Sequence, residues 1–281
     1  MTPNPYRIDG PALVSFSGGR TSGYMLWHIL DAYDGQLPDD IHVTFANTGK
    51  EREETLRFVQ ECGMRWGVYI VWLEWRSRLK RTPVAERFDR VGFNSASRNG
   101  EPFERLIESK KATPNQQHRW CTEHLKVQIM FDYMRTVGLE PNSYREAIGL
   151  RADEMWRVFK MLDRNGREGR QCVAPLVSAK VTKPDVMAWW ANQPFDLGLN
   201  AVEGNCDLCF LKGKRNLQSL IRANPESAIW WDRMERSGER TFSSRYSVRE
   251  LVKDAAAQPM MIDGDDEFDA ECGLWCAGEA A

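Results

Sequence analysis

The chain has no apolar run approaching the roughly 18–20 residues that a bilayer-spanning helix needs. Its first residues, Met1-Thr2-Pro3-Asn4-Pro5-Tyr6-Arg7, lack the apolar stretch of a signal peptide. Both absences lead to the expectation of a cytoplasmic protein with no membrane partner. The seven cysteines are odd in number and unevenly spread, so they do not make a disulfide framework. They read instead as reduced thiols kept for metal or catalysis. There is no internal repeat, no low-complexity linker and no G-x-x-x-x-G-K-[ST] nucleotide loop. The end of the chain, Pro259 to Ala281, holds seven acids and no Lys or Arg, which reads as a solvated tail.

What is there is ordinary in bulk and uneven in detail. The 281 residues suit one large α/β domain, or one domain with an appendage. Hydrophobic residues at 42% and charged residues at 28% suit a soluble protein with a sizeable core. The net charge of −2 conceals a basic stretch, Arg76 to Arg119, with eleven Lys/Arg against five Asp/Glu. That stretch fits either a solvated loop or contact with phosphate or nucleic acid.

The first half alternates strands and helices. Ala12-Leu13-Val14-Ser15-Phe16, Ile41 to Ala46 and Val68 to Leu73 read as strands. Thr21 to Ala32 and Glu53 to Arg65 read as helices, the first with Met25, Leu26, Ile29 and Leu30 on one face. This run predicts an open, Rossmann-like parallel sheet with helices on its faces and ligands at the strands' carboxyl ends. Residues 76–118 show no clean period and read as an irregular basic insertion near the site. A helix is expected from about Thr122 to Val137, then a strand from Tyr144 to Leu150. Thr182, with Pro184 in the next turn, caps a helix through Trp189-Trp190. Asn224-Pro225 opens another through Trp230-Trp231, and Ser247-Val248-Arg249-Glu250 is a capping box for a last one. The tryptophans read as packing surface. Residues 1–203 are expected to form the nucleotide-binding domain, and 204–281 a Cys-containing helical region with the acidic tail.

The strand ending at Phe16 runs directly into Ser17-Gly18-Gly19-Arg20-Thr21-Ser22. Glycines let a backbone approach an anion closely, and the following helix adds the positive end of its dipole. Four further segments follow in order. Asn47-Thr48-Gly49-Lys50-Glu51 succeeds the second strand, and Arg119-Trp120-Cys121 with Lys126 opens the central helix. Gly149-Leu150-Arg151-Ala152-Asp153-Glu154 with Arg157 succeeds the next strand, and Gly204-Asn205-Cys206-Asp207-Leu208-Cys209 comes last. Together these resemble the phosphoadenosine phosphosulfate (PAPS) reductase family of the PP-loop superfamily, over roughly residues 12 to 212.

The resemblance implies an adenine nucleotide over the sheet's carboxyl edge. Ser17, Gly18, Gly19, Arg20, Thr21 and Ser22 would hold phosphates, and Asn47, Thr48 and Gly49 would lie beside the ribose or base. Arg151 would bind phosphate or sulfate, and Asp153 would hold magnesium or orient that arginine. A strand-end salt bridge is the plain alternative for the pair. Glu51 is a second candidate for magnesium. Cys206 and Cys209 have metal-ligand spacing, and Cys121 matches a cluster-ligating position of the family. With Cys272 or Cys276 they would hold a [4Fe-4S] cluster, zinc being the runner-up. Cys172 is a weaker fourth candidate, and Cys62 reads as a buried small hydrophobe.

Two chemistries share this scaffold. One is ATP cleavage between the α- and β-phosphates to adenylate an acceptor in sulfur-related chemistry, with a nucleic acid as acceptor. The intact Ser17-Gly18-Gly19 and Ser22 favour it. The other is a sulfonucleotide reductase, in which Cys272 of Glu271-Cys272-Gly273-Leu274 attacks sulfur and a thiol reductant resolves the product. Trp275 stands where that motif has histidine, and acids crowd Cys272, which opposes thiolate formation. A nucleotide-binding accessory protein without turnover is the third reading. The sequence also allows a homodimer.

Overall fold

The computed structural model describes residues 4–77, 81–200, 202–238 and 240–257. Side-chain alternation decides how its sheet is covered. In β1 (Ala12–Ser15), Ala12 and Val14 face one side with Phe16, and Leu13 faces the other. β2 (Ile41–Asn47) and β3 (Ile70–Trp75) repeat the division. Val43, Phe45, Ile70 and Trp72 join the first set, and Ala46, Val71 and Leu73 the second. A sheet apolar on both faces must be covered on both, as parallel sheets are.

Three more strands complete it: β4 (Phe88–Val91), β5 (Arg145–Ile148) and β6 (Cys172–Val173). The order is β4-β3-β2-β1-β5-β6, with every pair parallel except β3 and β4. The chain winds outward from β1 to β4 and returns on the other side of β1. The crevice between β1 and β5 is therefore the switch point where open α/β sheets bind ligands. The class is α/β, as the alternation predicts.

The helices are α1 (Arg20–Asp31), α2 (Glu53–Trp66), α3 (Glu101–Lys110), α4 (Trp120–Thr122), α5 (Gln128–Thr136), α6 (Met155–Glu168), α7 (Pro175–Ser178), α8 (Lys183–Trp190), α9 (Lys214–Ala223), α10 (Ser227–Ser237) and α11 (Val248–Ala257). On the Val14 face, α1, α2 and α8 bury Met25, Leu26, Ile29, Leu56, Val59 and Trp190. On the Leu13 face, the cluster continues through Ile129 and Met130 into Leu217, Ile221, Trp230 and Trp231, so the C-terminal helices share a core with the sheet. Both expected caps form. The Asp185 carboxylate accepts from Thr182 N–H (2.8 Å) and Oγ–H (2.6 Å), and that of Glu250 accepts from Ser247 N–H (2.7 Å) and Oγ–H (3.0 Å).

Three features differ from expectation. The segment after Arg76 is not wholly irregular: it contributes the antiparallel edge strand β4 and the helix α3, whose Phe103, Leu106 and Ile107 are buried. The central helix is interrupted by a π turn, Glu123–Val127, between α4 and α5. The helix α6 and the short β6 lie where no element was anticipated, while α9 falls within the C-terminal region expected to be helical. Among the described residues no helix is long and apolar enough to cross a membrane.

Gly23 on α1 shows how tightly that face is packed. A Cβ there would lie 2.8 Å from Trp190 Cζ2 and 3.1 Å from Phe58 Cζ. In an open helix, Gly→Ala stabilises by about 1 kcal/mol. Here overpacking reverses the sign, and Gly23→Ala should destabilise by ~1–3 kcal/mol. Denaturant unfolding of the two proteins checks this, and a stabilised variant would refute the packing.

Candidate nucleotide site

The turn after β1 has room for nothing larger than glycine at Gly18. Gly18 sits at φ +78°, and a Cβ there would lie 2.8 Å from Thr55 Cγ2. Ser17 Oγ lies 3.0 Å from Ser22 Oγ, which also accepts from Gly19 N–H at 3.3 Å. The first turn of α1 carries no acidic side chain, so its positive end is available to an anion. Arg20 turns aside into a bidentate pair with Asp196 (2.7 and 2.5 Å), so its charge is answered there.

The loop after β5 meets this turn. A Cβ on Gly149 would stand 3.3 Å from Ser22 Cα, so glycine lets the two backbones approach. Arg151 is buried, and its Nη1 donates to Thr21 Oγ at 3.0 Å. Its Nε donates to Asp153 Oδ1 at 3.1 Å, and its N–H to Glu154 Oε2 at 2.9 Å. The Glu154 carboxylate also pairs with buried Arg157, whose Nε and Nη2 have no partner. The fold thus brings Ser17–Ser22 together with Arg151 and Asp153.

The loop after β2 is held by its own side chains. Asn47 Nδ2 donates to Glu74 Oε1 (2.6 Å) and to the Ser97 carbonyl (2.8 Å), while its Oδ1 accepts from Gly49 N–H (3.0 Å). Thr48 donates to Glu51 through both N–H (2.7 Å) and Oγ–H (2.8 Å). Glu51, one candidate for magnesium, is fully buried and also meets Lys126 Nζ at 3.4 Å. It is committed to the protein, whereas the Asp153 side chain remains 38% exposed.

The Cys-x-x-Cys loop is stitched to both turns. Asn205 Nδ2 donates to the Ser17 carbonyl at 2.7 Å, and its own carbonyl accepts from Arg52 N–H at 2.7 Å. Glu51 and Cys206 form an isolated antiparallel bridge, with Cys206 Sγ 3.8 Å from Glu51 Oε1. Lys212, almost wholly buried, donates to the Cys206 carbonyl at 3.0 Å. Burial pushes its ammonium below the ordinary range, while Cys209 and Cys206 pull the other way. Sequence reasoning missed Lys212, Glu74 and the Asn205 bridge. The one available signal was a lysine three residues past Cys209 in an apolar context.

Cys121 lies within α4, just before the π turn, and packs against the Leu13-face core. Among the described residues no group of three or more His, Cys, Asp or Glu is placed to hold a metal. Cys121, Cys206 and Cys209 are therefore not gathered into a metal site among the described residues, and Cys272 and Cys276 lie outside them. Cys62 and Cys172 are buried, which pushes both thiols far above the ordinary range. Several charges of the basic stretch are met locally: Arg76 by Asp89, Arg87 by Asp132 and Arg98 by Glu53.

The fold and site define an α/β protein with a glycine turn and a buried arginine at the switch point. The chain is 30% identical over 223 residues to the uncharacterized nin region protein ORF290 of Escherichia phage lambda, spanning 73% of this chain and 67% of that one. It belongs to the family of that phage protein. A further likeness, 30% over 122 residues, is to the uncharacterized protein MJ0066 of Methanocaldococcus jannaschii, covering 43% of this chain and 19% of that longer protein. No protein-family model matches. Among solved structures, the U34-tRNA thiolase NcsA from Methanococcus maripaludis with its [4Fe-4S] cluster is similar at 14% identity and a TM-score of 0.30, over 96% of this chain and 81% of that one. So loose a superposition assigns no residue.

The Arg20–Asp196 pair has a pH signature. Burial raises the Asp196 carboxyl, but hydrogen bonds from Arg20 and Gly198 N–H outweigh it and hold the carboxyl below its usual range. Its stabilising contribution is complete above the unfolded value of about 3.9 and is lost as pH falls through the lower folded value. Asp196→Asn should therefore lower the thermal midpoint at neutral pH, with the deficit closing in acid. A deficit independent of pH would show that the charge is not involved.

Proposed function

We propose that the chain is a PP-loop enzyme of PAPS reductase type that cleaves ATP between its α- and β-phosphates and adenylates an acceptor in sulfur-related chemistry. The observation that carries this reading is the junction of the Ser17–Ser22 turn with buried Arg151 at the switch point. The turn's N–H groups, the two serine hydroxyls and the start of α1 take the β- and γ-phosphates. Arg151 is already desolvated and oriented by Asp153 and Glu154, so it can meet charge developing on the leaving pyrophosphate without reorganising. The partly exposed Asp153 would hold magnesium, which supplies further charge neutralisation. Asn47, Thr48 and Gly49 flank the nucleoside, and a nucleic acid is the acceptor.

An iron–sulfur cluster, with zinc as its alternative, belongs to this reading through Cys121, Cys206 and Cys209, with Cys272 or Cys276 as the fourth ligand. It would supply thiophilic metal chemistry. Anaerobically purified protein should then be coloured and contain iron. Stoichiometric zinc without iron would remove the cluster from the reading.

The deciding assay is product identity. With ATP and magnesium the chain should release pyrophosphate, and Arg151→Ala should slow that release about 100-fold or more. With adenylyl sulfate or its 3′-phosphorylated form plus thioredoxin, it should yield no sulfite. Sulfite that disappears in Cys272→Ser would establish the reductase instead. Nucleotide binding with neither product would establish an accessory protein.

A further inference from the structure

The basic stretch from Arg76 to Arg119 divides in two. Arg76, Arg87 and Arg98 are met by Asp89, Asp132 and Glu53. Past them, Arg105, Lys110 and Lys111 are exposed and have no ion pair among the described residues. The fold adds cations from far away in sequence. Arg240 and Arg245, on the loop between α10 and α11, are also exposed and without an ion pair among the described residues.

The two segments are joined. Thr113 Oγ1 donates to the Arg240 carbonyl at 2.8 Å. A Cβ on Gly238 would stand 3.0 Å from Thr113 Cγ2, so the two backbones run close together. An open cleft of about 570 Å³ lies here, lined by Asn115, Glu235, Arg240, Thr241 and Ser244. Every one of these side chains is polar. Glu235 is already engaged: Oε1 accepts from Phe242 N–H at 3.0 Å and Oε2 from Val248 N–H at 2.7 Å. The guanidinium of Arg240 has no such answer. Arg245 follows Ser244 directly, and Lys111 stands two residues before Thr113.

A polar, open cleft with cations that lack a counter-charge fits a polyanion. Its lining has no aromatic ring on which a base would stack and no apolar floor for a protein side chain. What it has is donors: the Arg240 guanidinium, the Asn115 amide and the Ser244 hydroxyl. Such groups hold phosphate and sugar rather than base edges. The volume is that of a small-molecule site, so it admits one nucleotide unit at a time, which a single strand presents and a duplex does not. The same segment leads toward the cysteines. Gln116 Nε2 donates to the Phe210 carbonyl at 3.3 Å, next to Cys209, and Arg119 opens α4 with Cys121.

The geometry points to a track for single-stranded nucleic acid along this cleft, between segments 111–119 and 238–246, that holds the strand by its backbone and delivers it toward the cysteine loop. This rests on the proposed reading insofar as that reading takes a nucleic acid as acceptor. It adds where the strand lies, and that base sequence does not decide its binding.

Fluorescence anisotropy with labelled RNA and DNA single strands of several sequences, in the absence of ATP, tests it. The full chain should bind strands of different sequence about equally, and more weakly as salt rises. Arg240→Gln combined with Arg245→Gln should weaken binding about 10-fold or more and reduce the salt slope by about 1–2. Unchanged circular dichroism and ATP binding tie that loss to the track. Binding that is indifferent to the double substitution would overturn the track and leave the acceptor reading standing. Pyrophosphate release by a chain that binds no strand would overturn the track and the nucleic-acid acceptor together. Tight discrimination among sequences would overturn backbone reading, and binding of polyglutamate without binding of strands would overturn the track in favour of an acidic protein.

Discussion

Glu51 has no water to solvate it, so its charge must be answered by the protein. Thr48 supplies an N–H and a hydroxyl, Lys126 an ammonium and Cys206 a thiol. These donors come from the loop after β2, the π turn and the Cys-x-x-Cys loop. Removing one partner of a buried ion pair typically costs ~3–5 kcal/mol, because the other is left uncompensated. The three segments are therefore held in one arrangement. Asn205 extends the stitching to Ser17, so the glycine turn is fixed by the same network. The π turn fits this picture, since such bulges commonly re-aim side chains at functional sites.

A second buried carboxylate, Glu154, plays the matching part across the switch point. It takes the Arg151 N–H and pairs with Arg157, and Arg151 in turn reaches Thr21. Between Glu51 and Glu154, the glycine turn is held from both sides. At Gly18 it approaches Thr55 so closely that a methyl group has no place, and Gly149 lets the facing loop come close to Ser22. A site held this way has its donors oriented before any ligand arrives, which is the condition for electrostatic stabilisation without reorganisation.

Much of this was legible from local pattern. The βαβαβ run, the Ser17–Ser22 turn and both capping boxes depend on residues near in sequence, and apolar periodicity or cap chemistry reveals them. The segment after Arg76 was harder. The alternation of β4 is spread over only four residues, and its place at the edge depends on pairing with β3. In α6 the apolar positions form one broad face, with exposed Met155, Phe159 and Leu162 running on from buried Val158 and Met161, so its helical period was present in the sequence although no element was expected there.

The sequence by itself determined the α/β class, the strand that begins the sheet and the glycine turn after it, because each follows from short-range sterics and hydrophobic period. The caps of Asp185 and Glu250 and the Arg151–Asp153 pair were local enough to read, but tertiary structure alone decided the long-range contacts of the charged residues. Arg20 turns to Asp196, Glu51 is spent inside the protein, Arg151 reaches Thr21 and Lys212 lies beneath the cysteine turn. The physical reason is burial. A charge withdrawn from water takes the partner that the fold places beside it, and for Arg20, Arg151 and the Glu51–Cys206 contact that partner lies more than 100 residues away.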